Sequence, residues 1–327
     1  MEISTFYFQW NGEEIVKDVQ KGSLFDPYEV DTKRTLFVHR YHKNRQPRQV
    51  TYRKALWDTS YRPQLTLTKP NKKITHDEEV IPDEDKENDK KVVCYMTSWA
   101  FYRRGDGKFV PEHIDSRLCT HVVYAYASLT PDDLVAKEFD PWADLTNNLY
   151  ERVTSLRDVK VLLGLGGWTD SAGDKYSRLV SSDTARMKFI ENLIPFLKMH
   201  NFNGLHLDWN YPVCWQSNCK KGAASDKANF AKFVQQLSRA LHGIGMELGV
   251  AISGYKEVIE TAYDLPTISK AVDFMSAMTY DYHGGWERTT AHHTPLVPEP
   301  NDALAYYSIV RYFVILNHYI NRLCKTE

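Results

Sequence analysis

Residues 202–212 read FNGLHLDWNYP. In an extended chain the alternation sends Leu205, Leu207 and Trp209 to one side and His206, Asp208 and Asn210 to the other. Three polar side chains at two-residue spacing, pointing the same way, describe the reactive end of a barrel strand. The last of them is a carboxamide, which makes hydrogen bonds but gives up no proton at neutral pH. The stretch has the layout of a catalytic strand end without an acid at its tip.

On either side of it lie other apolar runs of strand length: VVCYMTSW (92–99), HVVYAYASL (121–129), KVLLGLGGW (160–168), ELGVAISG (247–254) and DFMSAMTYDYHG (273–284). Between them DTARMKFIENLIPFLKMH (183–200) and DKANFAKFVQQLSRALHGIG (226–245) carry helical spacing. Strands alternating with helices predict βαβ units and a parallel sheet. Burial on both faces of such a sheet accounts for the near-continuous apolar runs. A doubly wound nucleotide fold wants a glycine fingerprint after its first strand. Here the best glycine cluster, GLGGW (164–168), follows the third strand and ends in Trp168, too bulky for a pyrophosphate to approach the backbone. Polar and aromatic residues gather instead at the ends of several strands, at Trp99, Trp168, Asp208–Tyr211 and Tyr280–Tyr282. That pattern predicts a (β/α)8 TIM barrel.

The 327 residues are 43% hydrophobic and carry a net charge of −1, enough for a large core and without the basic excess of a nucleic-acid binder. No run of eighteen apolar residues occurs, so no membrane span is expected. Cysteine and histidine spacing offers no zinc site, and no metal or other cofactor is expected. Residues 1–90 lack sustained periodicity, and KKITHDEEVIPDEDKENDKK (72–91) is nearly all charge. They are expected to form a disordered extension and linker ahead of a barrel domain at 91–327. The basic stretch at 30–54 fits a solvated connector, with a polyanion-binding strip as the alternative. MEISTFYFQW has no signal-peptide pattern, so an export signal is expected to lie outside this chain.

The signature FNGLHLDWNYP resembles that of glycoside hydrolase family 18, the chitinases, roughly F-D-G-x-D-x-D-W-E-Y-P. VVCYMTSWAFYR (92–103), LCTHVVYAYA (118–127), GLGGW and MTYDYHGGWE (278–287) agree with the family in order and spacing. The wording LDWNYPVCWQSNC is most similar to non-catalytic barrel domains of large multi-domain insect chitinases. Family members use the sugar's own acetamide as nucleophile, an exception to the two-carboxylate scheme. The resemblance implies that a glutamate donates the proton, the aspartate two residues earlier orients the acetamide, and the aspartate before that shares its protons. Here those positions hold Asn210, Asp208 and His206, and the first signature aspartate is Asn203. Only Asp208 is retained, so little or no hydrolysis is expected. In its row His206 is expected to donate to Asp208 and hold it ionised.

By the same resemblance Trp99 and Tyr102 line the non-reducing side of a sugar cleft, and Tyr95 and Tyr126 its inner wall. Those two tyrosines could equally be interior packing. Trp168 sits beside the central sugar and Trp286 further along. Tyr280 bonds the acetamide, Asp281 and Met278 complete the floor, and Tyr211 belongs with Asp208 in the substrate-binding set. Cys94 and Cys119 match a family disulfide between the first two strands. Cys214 and Cys219 are expected to close a small loop, leaving Cys324 over. The family continues with two further strands and an inserted lobe. A barrel truncated after about six β/α units is expected to show open sheet edges and an exposed apolar interior. Chitin or chito-oligosaccharides and neighbouring chitinase modules are the expected partners, in an extracellular parent protein. A residually active hydrolase and a chitinase-like signalling protein are the alternatives.

Overall fold

The computed structural model describes residues 91–298 and 306–321. The expectations for residues 1–90 and for Cys324 fall outside them. Among the described residues the strands are β1 (Val93–Thr97), β2 (His121–Leu129), β3 (Ala136–Glu138), β4 (Lys160–Gly166), β5 (Gly204–Asp208), β6 (Glu247–Ser253) and β7 (Phe274–Met278). Six of them run parallel in the order β1-β2-β4-β5-β6-β7, while β3 is a short antiparallel addition beside β2. Each new strand joins on the same side as the last. A doubly wound sheet reverses direction at a switch point; a barrel keeps going round, as this one does.

The helices are α1 (Leu149–Thr154), α2 (Gly167–Asp170), α3 (Lys175–Ser181), α4 (Asp183–Met199), α5 (Asp226–His242), α6 (Lys256–Ala262), α7 (Leu265–Ser269) and α8 (Ile309–Asn321). Sequence accounts for the two longest. The Ser182 hydroxyl accepts from the Ala185 amide and caps α4, with Asp183 in the first turn. In α5 Phe230, Phe233, Val234, Leu237 and Leu241 fall on one stripe, and all five are buried. Strand β5 shows the alternation at work. Outward, Trp209 stacks on Tyr176 of α3 at 5.6 Å and meets Phe230 of α5 edge-on at 5.8 Å. Inward, His206 and Asp208 are fully buried.

The sheet curls far enough for its first and last staves to touch through their side chains. The Tyr95 hydroxyl on β1 reaches His206 on β5 (2.9 Å) and Ser276 on β7 (3.0 Å). Lower in the barrel His121 of β2 lies 5.6 Å from the Phe274 ring of β7. Inward-facing Val93, Val123, Leu162 and Phe274 are buried together. Part of the interior expected to be exposed is thus buried, these four side chains being at most 7% exposed. Among the described residues β1 and β7 each pair with one strand.

The amino-terminal end of the barrel is tied by Glu247 at the start of β6. Its carboxylate pairs with His121 (2.8 Å) and Lys160, with Lys91 at 3.9 Å. Burial raises its pKa, but the bonds from His121 and Lys160 outweigh that and bring it down to about 2. Disulfides join Cys94 to Cys119, the pair the family resemblance implied, and Cys214 to Cys219, the pair expected to close a small loop. No described helix is long and apolar enough to cross a membrane.

Candidate functional site

The site is organised by the glycines of GLGGW at the carboxyl end of β4. A Cβ on Gly164 would stand 2.8 Å from the Tyr124 carbonyl oxygen and 2.9 Å from the Tyr126 ring. On Gly166 it would collide with the Asp208 carbonyl oxygen, and on Gly167 it would be 2.7 Å from the Tyr126 ring. Gly166 (φ +116°) and Gly167 (φ +78°) also need backbone that L residues rarely adopt. The turn that carries Trp168 is thus wedged between Tyr126 and Asp208, and only glycine admits that approach.

Asp208 ends β5 with both oxygens engaged. Tyr126 donates to Oδ2 (2.7 Å) and the Asn210 amide donates to Oδ1 (2.6 Å). Burial pushes the Asp208 carboxyl above its usual range, and these two donors oppose it. Asn210 itself is buried, 4% exposed, with its backbone N–H on the Ser171 hydroxyl (2.8 Å). Its side chain is spent on Asp208 and presents no transferable proton.

His206 departs from expectation. Its Nε2 bonds the Tyr95 hydroxyl and the Ser276 hydroxyl (3.1 Å), and Asp208 is not among its partners. Register explains the pocket: His206 lies opposite Gly164 on β4 and Gly249 on β6. A Cβ on Gly249 would come within 2.7 Å of the imidazole. Burial lowers the His206 pKa to about 3, so the ring is neutral across the physiological range. Asn203 lies outside the row of His206, Asp208 and Asn210, as its odd spacing requires. It stands before β5, at the far end from Asp208, where its Oδ1 accepts from the Val161 amide (2.7 Å).

The aromatic set divides in two. Trp99 (50% exposed) stacks on Tyr126 with ring centroids 6.4 Å apart, Trp168 is 53% exposed and Trp286 66%. Tyr102 is exposed as well, but its hydroxyl donates to Asp140 (2.6 Å), a bond that pushes its pKa up to about 12. Tyr211 and Met278 are buried and meet each other, hydroxyl to sulfur at 3.5 Å. Tyr280 stacks on His293 at 6.2 Å, and Asp281 holds the same histidine through its carboxylate at 2.6 Å.

Several supporting residues gave no sequence signal. Asp170, buried just after Trp168, accepts from Ser128 (2.5 Å), the Leu129 amide (3.1 Å), Lys175 (2.6 Å) and Tyr176 (2.7 Å). Ser171, Ser276 and Gln216 likewise act through partners distant in sequence. Among the described residues no group of histidine, cysteine and acidic side chains could hold a metal ion.

A parallel barrel with a family-type strand end, glycine turn and exposed tryptophans is the frame of a glycoside hydrolase of the chitinase type. The family model "Glycosyl hydrolases family 18" matches residues 91–322, and the chain belongs to that family. It is 53% identical over 221 residues to "Probable chitinase 10" of Drosophila melanogaster, covering 67% of this chain and 10% of the relative. The second catalytic domain of a group II chitinase from Ostrinia furnacalis, solved free and as a mutant with the oligomer (NAG)5, is 48% identical with a TM-score of 0.68. That match covers 71% of this chain and 61% of the other. Human YKL-39, described as a pseudo-chitinase with retained chitooligosaccharide binding, is 29% identical with a TM-score of 0.61, over 70% of this chain and 63% of that one. The chain therefore spans a tenth of the first of these relatives and about three fifths of the solved ones.

Proposed function

We propose that this chain holds β-1,4-linked N-acetylglucosamine oligomers at the carboxyl ends of its strands without cutting them efficiently. The observation that carries the reading is Asn210. Where the family places its acid, a buried carboxamide is turned onto Asp208 at 2.6 Å. Without a donor the leaving oxygen departs as an alkoxide, and general acid catalysis is worth about 10²–10⁴-fold. Trp99, Trp168 and Trp286 support the binding half, since indole faces suit the apolar C–H side of a pyranose. Two disulfides fit an oxidising, extracellular setting. In that setting the chain acts as an anchoring module beside catalytic ones, its weak sites adding through linkage. The charged segment at 72–91 serves as the tether, and the barrel domain begins at residue 91.

The test pairs a chitin pull-down with oligosaccharide turnover on the full chain, on Asn210→Glu and on Trp168→Ala. Wild type is expected on the beads with no product, and Asn210→Glu is expected to release product. Turnover by wild type that Asp208→Ala abolishes would show a residually active hydrolase and overturn the pseudo-enzyme. Absence of chitin binding, unchanged by Trp168→Ala, would favour the signalling alternative.

A further inference from the structure

Gln216 lies between the disulfide-bonded Cys214 and Cys219 in the loop from β5 to α5. Its backbone N–H donates to the Asn210 carbonyl (3.0 Å), and its side-chain amide donates to the Trp168 carbonyl (2.6 Å). One residue thus joins the end of β5 to the turn that carries the exposed indole. The short helix α2 cannot satisfy that carbonyl itself, because one turn leaves its last carbonyls without helical partners. Ser171 and Ala172 amides take the Gly167 and Thr169 carbonyls, and Gln216 takes the one between.

The loop is built to hold this reach. Val213 (φ +61°), Gln216 (φ +50°) and Ser217 (φ +63°) occupy left-handed backbone, which non-glycine residues keep only where their surroundings hold them. The disulfide closes the ring around Gln216 and Ser217. The buried Asp226 carboxylate accepts from the Val213 amide (3.2 Å) and the Trp215 indole (3.1 Å), and the Gly222 amide donates to the Val213 carbonyl (2.9 Å).

We infer that Gln216 is a positioning residue that sets the Trp168 platform from the disulfide-closed loop after β5. The inference rests on the reading that Trp168 meets the sugar. It is tested on the full chain labelled with 5-fluorotryptophan, the Trp168 resonance being assigned by its loss in Trp168→Phe. Gln216→Glu keeps the size and removes the donor. It is expected to shift or broaden the Trp168 resonance alone, leave the melting temperature in place, and weaken chitopentaose binding by about three- to tenfold, the range one uncharged hydrogen bond carries. The double variant Cys214→Ser/Cys219→Ser is expected to disturb the same resonance. An unchanged Trp168 signal in Gln216→Glu overturns the inference, and so does an equal disturbance of all tryptophans with a fall in melting temperature. If Trp168→Ala loses chitopentaose while Gln216→Glu binds normally, the inference fails and the sugar reading stands. If wild type binds no chitopentaose, that reading fails, and the fluorine spectra still decide whether Gln216 positions Trp168.

Discussion

His206 shows how far one side chain's neighbours decide its chemistry. Two flanking glycines give its ring room, and the barrel interior removes water from it. The unfolded chain binds a proton there near the ordinary value of 6.5, whereas the folded chain binds it only near pH 3. The unfolded state therefore takes up the proton first as pH falls, so the contribution is complete above about 6.5 and erodes below it. Roughly 2 kcal/mol should be lost between pH 7.5 and 5 from this group. Urea denaturation at pH 7.5, 6 and 5 checks it, with His206→Asn expected to flatten the slope. A His206 imidazole resonance that titrates in that interval would contradict the burial argument.

Among the elements, the glycine turn is the most demanding. Gly167 has positive φ and no room for a Cβ, whereas Gly173 (φ +84°) has positive φ and open space around it. Alanine at either site meets the left-handed penalty of about 1–2 kcal/mol. Gly167→Ala also drives a methyl into Tyr126, and crowding of that kind typically adds about 1–3 kcal/mol. Chemical denaturation should show Gly167→Ala as the clearly worse of the pair. Equal losses would mean that Tyr126 gives way freely and that the turn is not wedged. The same comparison explains why GLGGW reads ambiguously from sequence: glycine clusters serve phosphate and aromatic neighbours alike, and the position after the third strand and the trailing Trp168 were what argued against a phosphate.

For the barrel as a whole, polar ties at two levels of the interior join strands that are not neighbours, beside the buried apolar core. Tyr95, His206 and Ser276 link β1, β5 and β7, while Glu247 draws β2, β4 and β6 together below. Glu247 has a depressed pKa, so its contribution is complete above the unfolded value of 4.5 and is lost as pH falls toward about 2. Glu247→Gln leaves Lys160 without its anion, and because that lysine is more than half exposed the cost should fall to about 1–2 kcal/mol at pH 7, between the exposed and buried limits. The variant should also lose its stability difference from wild type between pH 4.5 and 2. A gap that persists unchanged at pH 2 would show that packing, not charge, accounts for the loss.

The order of strands and helices, the glycine turn and the carboxamide of Asn210 at the strand end were all legible in the chain itself. Periodicity is a local property, and residue identity at a motif position needs no coordinates. Tertiary structure alone decided which groups meet. His206 bonds Tyr95 across 111 positions, and Tyr95 bonds Ser276 across 181, so the expected partner two residues away went unused. Asn203 accepts from an amide 42 positions back, and Gln216 found a carbonyl 48 positions back. Such pairings follow from which staves a curved sheet brings face to face, a geometry that a linear pattern of side chains does not contain.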